Sequence, residues 1–258
     1  MKKALVIISF GTSYPTGMRA IEHIESYIKE HFLEYDCFRA FTSARIVAKL
    51  KRQGNEVATP LQLLEYLLQE GYEEVICQPT HMIAGLEFHK MMEQIYEFQT
   101  KFPRLKIGKP LLAEERDYKQ CVDFYHKQFP KGKEQEAIVL MGHGSSHYAN
   151  GCYEKMKCQF DQRKRDDIYI GTIQGFFTIE DVIKQLKKRE IHTVTIVPLL
   201  LVAGGHVTND MIGKKKSAWK NRLEQEGYQV KTCMKGLGEY DEIAQIYVEH
   251  IRKAEEIR

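Results

Sequence analysis

Residues 138–146 read IVLMGHGSS. An apolar run stops at a histidine set between two glycines, and two small hydroxyl residues follow. A short, wholly apolar run bounded by glycine is how a strand buried on both faces reads, and the turn chemistry behind it marks that strand's carboxyl end. Near the start, residues 4–13 read ALVIISFGTS, the same pattern with Phe10 where the histidine would stand. Ser13 and Ser146, which close the two copies, lie 133 residues apart.

Working outward, two more pairs repeat in the same order. FRAFTS, ending at Ser43, can be laid on IGTIQG, ending at Gly175, at a spacing of 132 residues. PTHMIAG (79–85) matches PLLLVAG (198–204) at a spacing of 119 residues. Strands are expected at Lys3–Phe10, Cys37–Phe41, Glu74–Pro79, Leu105–Pro110, Ala137–Gly142, Ile168–Ile173, Thr193–Leu199 and Gln229–Cys233, with amphipathic stretches between them. Thr59-Pro60-Leu61-Gln62 carries an N-cap, a first-turn proline and a capping-box glutamine, and that helix should end near Gly71. Thr178-Ile179-Glu180-Asp181 caps another helix with carboxylates in its first turn. Strand–helix alternation predicts an α/β fold. The repeat predicts two similar Rossmann-like lobes, each a parallel sheet flanked by helices, with the active site in the cleft between them. The polar segment FPKGKEQEA (129–137) is the expected joint. It divides an N-terminal lobe at 1–130 from a C-terminal lobe at 131–258.

The bulk composition excludes several classes. The chain has 258 residues, 43% hydrophobic and 28% charged, with a formal net charge of +3. That charge is only mildly basic and says little for nucleic acid, whose binding usually needs clustered Lys and Arg. No stretch approaches the roughly 18 apolar residues of a membrane span. The opening MKKALVIISFGTS resembles an export signal only superficially, because its apolar run is short and reads as a first strand. A cytoplasmic protein is expected, without nucleic-acid or membrane partners, and a homo-oligomer remains open. The six cysteines contain no C-x-x-C pair and read as reduced thiols; Cys152 and Cys158 are a weak metal alternative.

In parallel sheets, ligands bind beyond the carboxyl ends of strands. At those ends Phe10 of the first half corresponds to His143, Thr42 to Gln174 and Glu87 to His206. Two imidazoles and a carboxylate suit a borderline divalent ion and also suit proton transfer near neutrality. His81 and His89 flank Glu87 and are read mainly as packing residues, with outer-ligand or proton-carrier roles second; His147, four residues after His143, could make a local metal pair with it, ranked below the two-strand pairing. His23, His31, His126, His192 and His250 are read as structural. Ser13, Ser145 and Ser146 sit where a strand turns toward a helix, so hydroxyls and backbone N–H groups there could hold carboxylates. Neither G-x-G-x-x-G, nor a P-loop, nor G-x-S-x-G is present.

KALVIISFGTSY, FRAFTSARIVAKL, TPLQLLEYLLQEGY, MGHGSSH, PLLLVAGGHVTNDM and GLGE together resemble the anaerobic-pathway cobalt chelatases. These enzymes insert Co²⁺ into sirohydrochlorin on the way to cobalamin and belong to the class II chelatase superfamily. The resemblance runs over nearly the whole chain. It implies a tetrapyrrole held between lobes and places the family's histidines at His143 and His206 and its glutamate at Glu87. It also implies Co²⁺ held by His143 and His206, with Gln174 beside them where close relatives carry a glutamate, and no redox cofactor. Ser13, Ser145 and Ser146 would meet the tetrapyrrole carboxylates, with Arg39 and Arg45 as further charge partners. A chelatase for Fe²⁺ or Ni²⁺, and a non-catalytic tetrapyrrole or metal carrier, stay open as alternatives.

Overall fold

The computed structural model describes residues 1–257. The chain runs β1 (Lys2–Ser9), α1 (Pro15–His31), β2 (Asp36–Phe41), α2 (Ala44–Arg52), α3 (Pro60–Gln69), β3 (Tyr72–Pro79), α4 (Leu86–Tyr96), β4 (Arg104–Ile107) and α5 (Glu115–Gln128). It continues β5 (Glu136–Gly142), α6 (Cys152–Gln162), β6 (Ile168–Thr172), α7 (Ile179–Lys187), β7 (Thr193–Leu199), α8 (Trp219–Gln225), β8 (Gln229–Thr232), α9 (Asp241–Arg252) and β9 (Glu255–Glu256). Each of the eight expected strands is present. Both expected capping boxes form, at Thr59 with Gln62 and at Thr178 with Asp181.

Two units divide the chain. The first comprises Met1–Ala113 and the chain from Gly238 on; its sheet has the order β2-β1-β3-β4-β9, parallel except for β9 against β4. Val6, Ile8, Leu64, Val75, Ile95 and Phe98 build its core. The second unit is Glu114–Leu237, with the parallel order β6-β5-β7-β8 and a core that includes Val139, Met141, Val182, Leu186, Val194 and Trp219. Central strands buried on both faces explain the unbroken apolar runs.

This division differs from the expected split at 130/131. Helix α5 packs within the second unit: its Tyr125 hydroxyl donates to the Pro198 carbonyl at 2.9 Å, and Glu115 accepts from Gln159 of α6 at 2.6 Å. Helix α9 belongs to the first, where the Tyr247 hydroxyl donates to the Thr80 carbonyl at 2.9 Å. The polar 129–137 segment lies within one unit, as a loop that runs into β5 at Glu136, because chain polarity marks exposure and not which core a neighbouring helix covers.

The strand registers bear on the repeat. Ile8 lies opposite Pro79 in the first unit and Met141 opposite Pro198 in the second, which preserves the spacings of 133 and 119 residues. The middle pair is shifted. Ser9 lies opposite Phe41 and Gly142 opposite Thr172, a spacing of 131 between Phe41 and Thr172. Ser43, not Thr42, is therefore the counterpart of Gln174. The backbone agrees: the Ser43 N–H donates to the Phe10 carbonyl at 3.2 Å, and the Gln174 N–H to the His143 carbonyl at 2.9 Å.

Candidate active site

His143 follows β5 directly, and both flanking glycines are required by what surrounds them. A Cβ on Gly142 would meet the Tyr153 ring at 2.5 Å. Gly144 has φ +77°, and a Cβ there would stand 1.7 Å from the Gln174 carbonyl oxygen. With no side chain on either side, the strand end turns sharply and stays close to the backbone that leaves β6. The His143 Nδ1–H donates to the Gly144 carbonyl at 2.8 Å. That bond fixes the tautomer and leaves Nε2 with its lone pair free.

His206 comes seven residues after β7, in VAGGHVTND. The Thr208 N–H donates to the Gly204 carbonyl at 3.1 Å, as the His89 N–H donates to the Gly85 carbonyl at 3.0 Å in the first unit. The two segments thus begin their helical turns alike, which supports the pairing of Glu87 with His206. They then diverge. The first continues as α4, whereas 207–211 forms a single wide π-type turn, closed by the Ile212 N–H on the Val207 carbonyl at 3.1 Å. Such turns recur at functional sites. This one stands Asp210 beside His206, and the His206 Nδ1–H donates to Asp210 Oδ2 at 2.7 Å. Again Nε2 is left open.

The two rings meet edge to face, with centroids 4.6 Å apart and planes at 74°. Two nitrogens at metal–ligand distances of about 2 Å require this kind of proximity. Burial pushes the His143 imidazole below its ordinary value, and His206 adds to the effect; the Gly144 carbonyl and Asp210 oppose it. His143 is therefore biased toward the neutral form that binds metals. The Asp210 carboxylate orients the His206 ring through that bond, as outer-sphere partners of imidazoles commonly do at metal sites. Among the described residues, no group of three or more His, Cys, Asp or Glu side chains is arranged to hold a metal ion. A pair of imidazoles leaves most of an ion's coordination positions for water or substrate.

The remaining expected residues are less simply placed. Gln174 is tied to His143 through its backbone, and its side chain is exposed. Glu87 lies in the first unit, in the first turn of α4, where Oε1 receives Lys90 Nζ at 2.9 Å. Ser13 is half-buried after β1 and Ser146 is exposed. Two of the three backbone N–H groups of the GSS turn, those of Gly144 and Ser145, are taken up within the chain. The Gly144 N–H donates to the Tyr153 hydroxyl at 3.0 Å, the Ser145 N–H to Asn150 Oδ1 at 2.9 Å and the His147 N–H to Ser145 Oγ at 3.0 Å. His147 Nδ1 accepts from the Ala149 N–H at 3.2 Å and so caps the following 3₁₀ turn. Arg39 is bound by both its Nε and Nη2 to Glu25, at 2.8 and 2.5 Å, and is not a free charge partner; Arg45 is exposed. The cysteines are unpaired, with Cys152 buried and Cys158 exposed.

Sequence reasoning missed Asp210. Its signal was available as the i,i+4 spacing from His206 in HVTND, which on a helical turn brings the two side chains together.

A family model described as Cobalt chelatase (CbiK) matches residues 3–256. The chain belongs to the CbiK cobalt chelatase family. It is 35% identical over 256 residues to the sirohydrochlorin cobaltochelatase of Salmonella typhimurium, covering 98% of this chain and 97% of that protein. It is 28% identical to the sirohydrochlorin cobaltochelatase CbiKC of Nitratidesulfovibrio vulgaris, over 98% of this chain and 90% of that one. Among solved structures, SirB from Bacillus subtilis with Fe³⁺ superposes with a TM-score of 0.68 at 16% identity, over 98% and 95% of the two chains. That likeness extends the α/β fold of this CbiK family member to a distant sequence. No helix among its described residues is long and apolar enough to cross a membrane.

Proposed function

We infer that this chain is a sirohydrochlorin cobaltochelatase, a metal chelatase that inserts Co²⁺ into sirohydrochlorin on the anaerobic route to cobalamin. The observation that carries the reading is the His143–His206 pair, with ring centroids 4.6 Å apart and each Nδ1 already engaged. Two Nε2 lone pairs can take a Co²⁺ ion from water while leaving positions open for the pyrrole nitrogens. Curated relatives of this name at full length support the same reading.

Insertion requires the ion to lose water and the macrocycle to lose two pyrrole protons. His143, kept neutral by burial, is suited to holding the ion. His206 is suited to accepting a proton when the metal leaves it, because Asp210 balances the charge that develops on the ring. Glu87 is the proposed further proton acceptor: its place at the start of α4 matches that of His206 in the repeat. Gln174 would offer a neutral oxygen to the ion or its water. Ser13, Ser145 and Ser146 would bond tetrapyrrole carboxylates through hydroxyls, since the Gly144 and Ser145 N–H groups have partners within the chain. Six unpaired thiols fit a cytoplasmic setting.

The test is anoxic incubation of protein, sirohydrochlorin and Co²⁺, followed by the tetrapyrrole absorption bands. His143→Ala and His206→Ala should abolish insertion while the fold is retained, and wild-type turnover in the double variant would end the reading. Many turnovers per protein molecule separate an enzyme from a carrier. A panel of Co²⁺, Fe²⁺ and Ni²⁺, run also with Gln174→Glu, reads metal choice.

A further inference from the structure

The second unit has an open cavity of about 900 Å³, and its lining includes His206, Asp210, Ile212, Lys214 and Lys215. Its charges are unbalanced. Asp210 is engaged by His206, whereas among the described residues no carboxylate is paired with Lys214 or Lys215. A third lysine, Lys216, follows in sequence. The GSS turn, the first candidate for anion binding, has the N–H groups of Gly144 and Ser145 already bonded within the chain. A substrate with several carboxylates therefore finds its unpartnered positive charge on this loop.

The loop is held in place. Asn221 Nδ2 donates both to the Gly213 carbonyl at 2.9 Å and to the Lys215 carbonyl at 2.8 Å. The Ala218 N–H donates to Lys215's carbonyl at 3.0 Å. A Cβ on Gly213 would meet the Asn209 carbonyl oxygen at 2.1 Å, so the loop backbone packs directly on the π-type turn that carries His206 and Asp210. Behind it, Ala218 and Trp219 are buried. The lysine stems thus leave a fixed backbone at a fixed place relative to His206, which limits the ordering cost of capturing a ligand.

We propose that Lys214 and Lys215 are specificity-determining residues that receive peripheral carboxylates of the tetrapyrrole and select polycarboxylate rings over less acidic ones. The proposal rests on the chelatase reading and adds to it a residue pair and a selection rule. The ammonium groups act as point charges on flexible stems, so they raise the encounter rate and the affinity of a polyanion without touching the reacting nitrogens.

Lys214→Gln/Lys215→Gln should raise the Kd for sirohydrochlorin about tenfold, two exposed charge contacts together being of that order. The change should fall on KM for the tetrapyrrole and not on kcat, and the salt dependence of binding should flatten. Co²⁺ affinity, measured without tetrapyrrole, should match wild type and so report an intact fold. The arginine double variant should restore binding. A dicarboxylate porphyrin should bind wild type and the glutamine variant alike. Equal sirohydrochlorin affinity and equal salt dependence in wild type and variant would overturn this proposal alone. A wild type that binds no sirohydrochlorin would overturn the chelatase reading, and this proposal with it.

Discussion

His81 offers a quantitative test of the first unit. It follows β3 by two residues, next to Glu87 and edge to face with Phe88 at 6.1 Å. The residue as a whole is half-buried, yet both ring nitrogens are shut off from water and lack a hydrogen-bond partner. Burial lowers its pKa from 6.5 to about 4, against the opposing charge of Glu87. The unfolded chain therefore takes up a proton as pH falls through 6.5, while the folded chain does so only near 4. Between these values the unfolded state binds more protons, so stability is full above 6.5 and is lost on acidification. Integrated from pH 7.5 to 4.5, the loss from this one group is about 2.5 kcal/mol. Urea unfolding at a series of pH values measures it. His81→Leu should flatten the acid limb by that amount with the m-value unchanged. Glu87→Gln should steepen it slightly by removing the opposing charge. Parallel acid limbs in wild type and His81→Leu would refute the burial argument.

Two further outcomes concern the second unit. Asp210→Asn should weaken Co²⁺ binding about tenfold, toward the lower end of what outer-sphere partners contribute, because the His206 and Asp210 side chains are 47% and 41% exposed; calorimetric titration with Co²⁺ reads it, and Asp210→Glu should recover part of the loss. Gly144→Ala combines a left-handed backbone at φ +77° with a Cβ 1.7 Å from a carbonyl oxygen, so it should cost about 3 kcal/mol or more in denaturant unfolding and disrupt Co²⁺ binding.

Much of the sheet architecture was legible because parallel strands buried on both faces leave unbroken apolar runs. The two-residue β9, Glu255–Glu256, has no such run; only its partner β4 makes it a strand. His143 and His206 were legible because the duplicated pattern marks strand ends and shows which side chains depart from it. The middle repeat was read one residue out of register, since FRAFTS and IGTIQG share too few residue types to fix the alignment and only the β1–β2 and β5–β6 ladders do so. Asp210 was legible only through its i,i+4 spacing from His206 in HVTND; the π-type form of the turn was not. The internal partners of the GSS turn, Asn150 and Tyr153, belong to the next turn and helix, and nothing in GHGSS itself points to them. The assignment of α5 and α9 was invisible because an amphipathic helix carries the pattern of its buried face but not the address of the core it covers.

The exchange of those two helices has a consequence for biosynthesis. The first unit begins at Met1 but is completed only by α9, which inserts Ile243, Ile246, Tyr247 and Val248 into its interior. During translation residues 1–113 must wait for α9 to leave the ribosome, while residues 114–237 can close in the meantime. Removing or crowding α9 should therefore damage the sheet of the first unit before that of the second. Joining residue 113 directly to residue 238 would turn that sheet and its helices into one uninterrupted reading of the chain.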